Sequence, residues 1–117
     1  MRVALLSAAA LPLLLAALPA NAGERSIAAS IAAGAYAEAE QAIQSELRIY
    51  PGRPELLLNL AAVYAKTGRT ADAKALYTRV LAQRDVLMDL SADKVAGSHA
   101  VATAGLKQVQ AVQFSSR

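Results

Sequence analysis

Apolar positions between Pro54 and Asp85 recur at helical spacing in two runs. Leu57, Leu60, Ala61 and Tyr64 form the first, and Ala73, Leu76, Tyr77, Val80 and Leu81 form the second, with Gly68 between them. The pattern predicts two amphipathic helices joined by a short turn. Gly68 suits the left-handed conformation that ends a helix, Lys66 lies in the last turn where the helix dipole favours a cation, and Thr70 is the candidate N-cap of the second helix. Upstream, Ala39, Ala42, Ile43 and Leu47 share one side of a helix expected over Tyr36–Ile49, with Glu38 and Glu40 near its positive end. Tyr50-Pro51-Gly52-Arg53-Pro54 then breaks the chain, and Pro54 suits the first turn of the next helix. Further back only Ile27 and Ile31 make a stripe, which predicts a short helix over Ser26–Ala33.

Beyond Asp85 the periodicity fades. Residues 85–90 either continue the preceding helix or form an extended link, and Ser91-Ala92-Asp93-Lys94 is expected to be a loop. Ser98 is the candidate N-cap of a last helix over His99–Val109, in which Val101, Ala102, Gly105, Leu106 and Val109 share a face. This helix, over 98–109, is expected to cap the flank of the preceding helix, and 110–117 to fray.

The first 22 residues carry a different signal. Met1-Arg2 is followed by a run of mostly Ala and Leu and then by Ala20-Asn21-Ala22, the small-x-small pattern of a secretory signal peptide cut after Ala22. Pro12 and Pro19 interrupt the apolar run, which is shorter than the ~20 residues of a spanning helix. An exported protein follows, periplasmic or secreted, with no lasting membrane insertion. Cys is absent, so neither a disulfide nor a lipid-bearing cysteine is available.

The two helices around Gly68 resemble a tetratricopeptide repeat, with Leu60, Tyr64, Ala73 and Tyr77 at matching places, Leu57 replacing an aromatic and Ala61 a small residue. A period supports the resemblance: Gly34, Ala39 and Ile43 lie 34 residues before Gly68, Ala73 and Tyr77, and Pro51 stands at the closing-Pro place of the earlier copy. Asp85 occupies that place in the later one. The resemblance implies an all-α fold, a short right-handed array of helical hairpins within 23–109. Residues 34–51 would be the second helix of one repeat and 54–85 a complete repeat.

Composition narrows the chemistry. With no Trp, one Phe and four Tyr, the core must be built mainly from Ala, Leu, Val and Ile. A formal charge of +3 without a basic run offers no footprint for nucleic acid. His99 is the sole His, and its neighbour Ser98 cannot face it along a helix, so no nucleophile and base are paired. Asp85, Asp89 and Asp93 recur every fourth residue, but the ligand order and turn Gly of a calcium loop are missing; a solvated acidic edge is the better reading. No phosphate-binding glycine loop appears, and isolated Gly97 and Gly105 point to close helix packing. No metal, cofactor or catalytic residue is assigned.

What the resemblance implies is protein binding, in a groove lined by the first helices of successive repeats. The matching positions are Glu55, Leu58, Asn59, Ala62 and Lys66. Asn59 can bond a peptide backbone, Lys66 a carboxylate, and Leu58 and Ala62 can accept an apolar side chain. Leu56, Leu57, Leu58 and Leu60 point several ways around their helix, so at least one is expected to be uncovered. That surplus supports the alternative, a structural protein that self-associates through its leucines.

Overall fold

The computed structural model describes residues 22–91 and 93–115. In chain order these are α1 (Ala22–Ala32), α2 (Tyr36–Ile49), α3 (Pro54–Lys66), α4 (Thr70–Ala82), the strands β1 (Leu87–Ser91) and β2 (Lys94–Gly97), and α5 (Ser98–Ser115). The expected all-α array of helical hairpins is the fold observed. Residues 1–21 of the expected leader lie outside the described residues, and Ala22 opens α1. Among the described residues, no helix is long and apolar enough to cross a membrane.

The two hairpin turns are built alike because both hinge on a glycine with positive φ, +79° at Gly34 and +82° at Gly68. After each glycine the chain bonds back to the helix it has left: Ala35 N–H donates to the Ser30 carbonyl at 2.9 Å, and Arg69 N–H to the Tyr64 carbonyl at 2.8 Å. The glycine N–H groups donate to Ile31 (3.0 Å) and Ala65 (3.3 Å). This paired arrangement satisfies carbonyls that a helix end otherwise leaves open. The Gly68 turn also sets aside one expectation. It places Arg69 at the cap position, so Thr70 is already helical, and no side chain caps α4.

Packing centres on α3, which touches every other helix. Leu56, Leu60 and Val63 close one cluster with Ile27, Ala39 and Ile43 of α1 and α2. Leu57, Leu58 and Ala61 close a second with Ala73, Tyr77 and Val80 of α4, extended by Met88, Ala102 and Val109. All four leucines are therefore buried, none more than 6% exposed, and the expected uncovered leucine is not found. The physical reason is that α3 is flanked on one side by α1 and α2 and on the other by α4 and α5. Self-association through the α3 leucines is excluded by this burial.

After α4 the chain forms an antiparallel ribbon where a helix extension or link, then a loop, were expected. Leu87 stands opposite Gly97, Met88 opposite Ala96 and Asp89 opposite Val95, with a register shift between Asp89 and Ser91. Met88 turns inward to the core, and by strand alternation Leu87 and Asp89 turn outward. α5 then packs on α4 and also touches α3, as α3 packs on α2 and touches α1. It stands where the first helix of a further hairpin would stand. It is also longer than expected: 110–115 continue the helix instead of fraying, and 116–117 lie outside the described residues.

Candidate functional site

Helices α3 and α5 leave a pocket of about 140 Å³ between them, with α4 as its floor. Ala62, Ala65 and Lys66 line it from α3, Thr70 and Tyr77 from α4, and Gly105, Gln108, Val109 and Val112 from α5. Of the groove positions expected from the sequence, the structure brings Ala62 and Lys66 into this pocket. Leu58 lies in the core and is not on offer to a ligand, while Glu55 and Asn59 are half-buried nearer the start of α3 and do not line the pocket.

The close approach of α5 depends on Gly105. A Cβ there would sit 2.3 Å from Cζ of Tyr77, so only a residue without a side chain lets the helix lie across the ring. Burial pushes the Tyr77 phenol above its ordinary pKa. The resulting surface is mostly apolar, with the Lys66 ammonium, the Gln108 amide and the Thr70 hydroxyl among its polar groups. It can accept a small apolar side chain and pair a neighbouring carboxylate or backbone carbonyl.

Residues 30–86 match the family model of the tetratricopeptide repeat, a span that contains both glycine turns and ends where the ribbon begins. This segment is a tetratricopeptide-repeat array. No curated protein and no solved structure gave a significant match. Repeats of this family generally mediate protein–protein interaction and are typically non-catalytic modules, so the class of partner implied is another protein. α5, which forms one wall of the pocket, lies beyond the matched residues of the array.

The array's own chemistry is structural. Glu40, expected to serve the start of α2, instead makes a forked ion pair with Arg69 at 2.6 and 3.2 Å. The Arg69 guanidinium also lies 4.3 Å from the centre of the Tyr64 ring. The hydrogen bonds from Arg69 hold the Glu40 carboxyl below the usual carboxylate range. The pair fastens the second helix of the first hairpin to the turn of the next.

A second set of contacts fixes the start of α5, and it differs from the expected Ser98 cap. Ser98 is itself fully buried, its hydroxyl accepting from the Val86 N–H at 3.0 Å while its own N–H donates to the Val86 carbonyl at 2.7 Å. The cap is Asp85, whose Oδ1 accepts the His99 backbone N–H at 3.0 Å and lies 3.4 Å from the Ser98 hydroxyl. That backbone bond from His99 is the main reason the Asp85 carboxyl is held below its ordinary pKa. The His99 ring donates from Nε2 to the Gln83 carbonyl at 2.7 Å. Serine, histidine and aspartate are thus neighbours, but the ring faces a carbonyl and the serine faces the aspartate, so no base is set against a nucleophile. Asp89 lies on β1 and Asp93 in the turn, so the three aspartates do not share a helical face. Among the described residues, no group of three or more His, Cys, Asp or Glu is placed to hold a metal ion.

Proposed function

We propose that this chain is an exported adaptor of the cell envelope, periplasmic in a two-membrane bacterium, which holds a peptide or partner helix of another protein between α3 and α5. The observation that carries the reading is the pocket itself: small residues on α3 and Gly105 on α5 open an apolar cleft over Tyr77, with Lys66 at hand. The leader pattern of residues 1–22 supports the export, since a short cationic end, an apolar run and a small-x-small site are what the secretion machinery cleaves.

Site-resolved crosslinking in the producing cell tests the binding. A photoreactive residue at Gln108 or Lys66, on the pocket wall, is expected to trap one discrete protein adduct, and the same residue at exposed Gln41 on α2 is expected to trap none of it. Equal capture at all three positions would remove the pocket from the reading. The mass of the purified protein tests export: a chain beginning at Gly23, found outside the cytoplasm, is the expected result.

A further inference from the structure

Exposed large apolar side chains are unevenly distributed among the described residues. Apart from Val112, they fall in two short segments: Ile49 and Tyr50 at the end of α2, and Val86, Leu87, Leu90 and Val95 in and beside the ribbon. Two hydrogen bonds link these segments. Arg79 near the end of α4 donates to the Pro51 carbonyl at 3.1 Å, and Gln83 just after α4 donates to the Gly52 carbonyl at 3.0 Å, which ties the start of the ribbon segment to the 50–53 turn. Leu87 is 75% exposed and Ile49 63%; one such apolar side chain is ordinary on a surface, whereas several within linked segments mark an interaction face.

The charges beside these apolar groups are divided. At the turn stand Arg53, stacked 3.9 Å over the Tyr50 ring, and Arg79, which reaches the Pro51 carbonyl. Arg79 donates to a neutral carbonyl, so that bond leaves its charge uncancelled. On the ribbon the outward strand face carries Asp89, in register with Val95 and two residues from Leu87. An anionic bilayer is a poor occupant for the whole patch, because Asp89 would meet like charge in the middle of the apolar contact. A surface that presents arginines beside apolar residues suits the ribbon, and the turn of this same chain is such a surface.

We infer that the 49–53 turn and the 86–97 ribbon form a self-complementary face for a second copy of this chain, each ribbon lying on the partner copy's turn. A two-fold axis satisfies both halves at once, since the basic turn of each copy then meets Asp89 of the other and each apolar half is covered. The contact is separate from the α3–α5 pocket and does not depend on what that pocket binds.

Sedimentation velocity of the purified protein over two decades of concentration tests the inference, with circular dichroism melts as the control for folding. The wild-type protein is expected to show a concentration-dependent monomer–dimer equilibrium. Leu87→Asp and Asp89→Arg change outward side chains, so they are expected to leave melting of the monomer unchanged while weakening association by at least about tenfold. A second set, Ile49→Glu, approaches the same contact from the turn and is expected to act alike. A protein that stays monomeric throughout overturns the inference, as does a dimer indifferent to all three changes. A monomer that instead co-sediments with phosphatidylglycerol vesicles overturns it in favour of a lipid surface.

Discussion

At the scale of single residues, glycine makes two distinct contributions that substitution can separate. Gly34 and Gly68 are needed for their positive φ, with nothing within 4 Å of the place a Cβ would take. Alanine there strains the backbone alone, and each change is expected to cost about 1–2 kcal/mol in urea unfolding. Gly105 is needed for space, and Gly105→Ala drives a methyl into the Tyr77 ring, an overpacking expected to cost about 1–3 kcal/mol. Combining it with Tyr77→Leu should therefore cost less than the sum of the two single changes, whereas Gly68→Ala with Tyr77→Leu should come closer to adding. The turn glycines were legible in the sequence through their 34-residue interval and their position between apolar runs. The role of Gly105 was legible only as close packing, because the ring it meets belongs to another helix.

Asp85 shows the opposite case, a residue whose position was noticed and whose work was not. Standing at the closing-Pro place, it was read as part of a solvated acidic edge, yet its carboxylate caps α5 across the ribbon. Its folded pKa is depressed, so its stabilising contribution is present above the unfolded value near 3.9 and is lost as pH falls through the lower folded value. Asp85→Ala is accordingly expected to melt below the wild type at neutral pH, and the gap to close in strong acid. A gap that stays constant with pH would assign the loss to packing and not to the carboxylate. Glu40, held low by Arg69, weakens in the same acid window in both proteins and so drops out of the difference.

At the scale of elements, helices were readable and their neighbours were not. Ala39 and Ile43 on α2, and Ala73, Tyr77 and Val80 on α4, are buried, because helical spacing gathers them on one stripe. The ribbon escaped because LMDLSADKVAG lacks both a β-branched alternation and a tight-turn pair such as Asn-Gly; it is held by burying Met88 and by the Val86–Ser98 bonds at its base. The last helix was expected over 98–109 and is present, but the ribbon hid its place in the repeat. Residues 83–97 fill a junction that needs only 50–53 between α2 and α3, so the 34-residue interval is lost before the next helix begins. Two truncations weigh what α5 contributes. Ending the chain after Gly97 strips Ala102 and Val109 from the core and uncovers Tyr77, and is expected to abolish cooperative melting. Ending it after Val109 removes mainly exposed turns of the helix and is expected to shift the midpoint by only a few degrees. Unchanged melting in the shorter chain would show that the hairpin of α3 and α4 stands without its third wall.

For the molecule as a whole, the question is whether two apolar clusters make one cooperative unit. A linear array can unfold piecemeal when the interface between repeats is weak. Here the clusters share α3 as a common wall, with Leu56 and Leu60 on one side and Leu57 and Leu58 on the other, and Leu47, Tyr64 and Leu76 pack against both. The Glu40–Arg69 pair crosses between hairpins as well. Damage to either side of α3 should therefore be felt throughout. Leu60→Ala, in the first cluster, is expected to cost about 2–5 kcal/mol, and hydrogen exchange followed by mass spectrometry should show α2 and α4 losing protection by the same free energy. Leu57→Ala, in the second cluster, should do the same in reverse. If Leu60→Ala instead speeds exchange in α1 and α2 while α4 and α5 keep their protection, the shared wall does not couple the clusters. The α3–α5 pocket would then rest on the second cluster alone, and a partner bound there would stabilise α4 and α5 without protecting α2. Coupled clusters require the reverse, a ligand at the pocket that slows exchange as far away as α2.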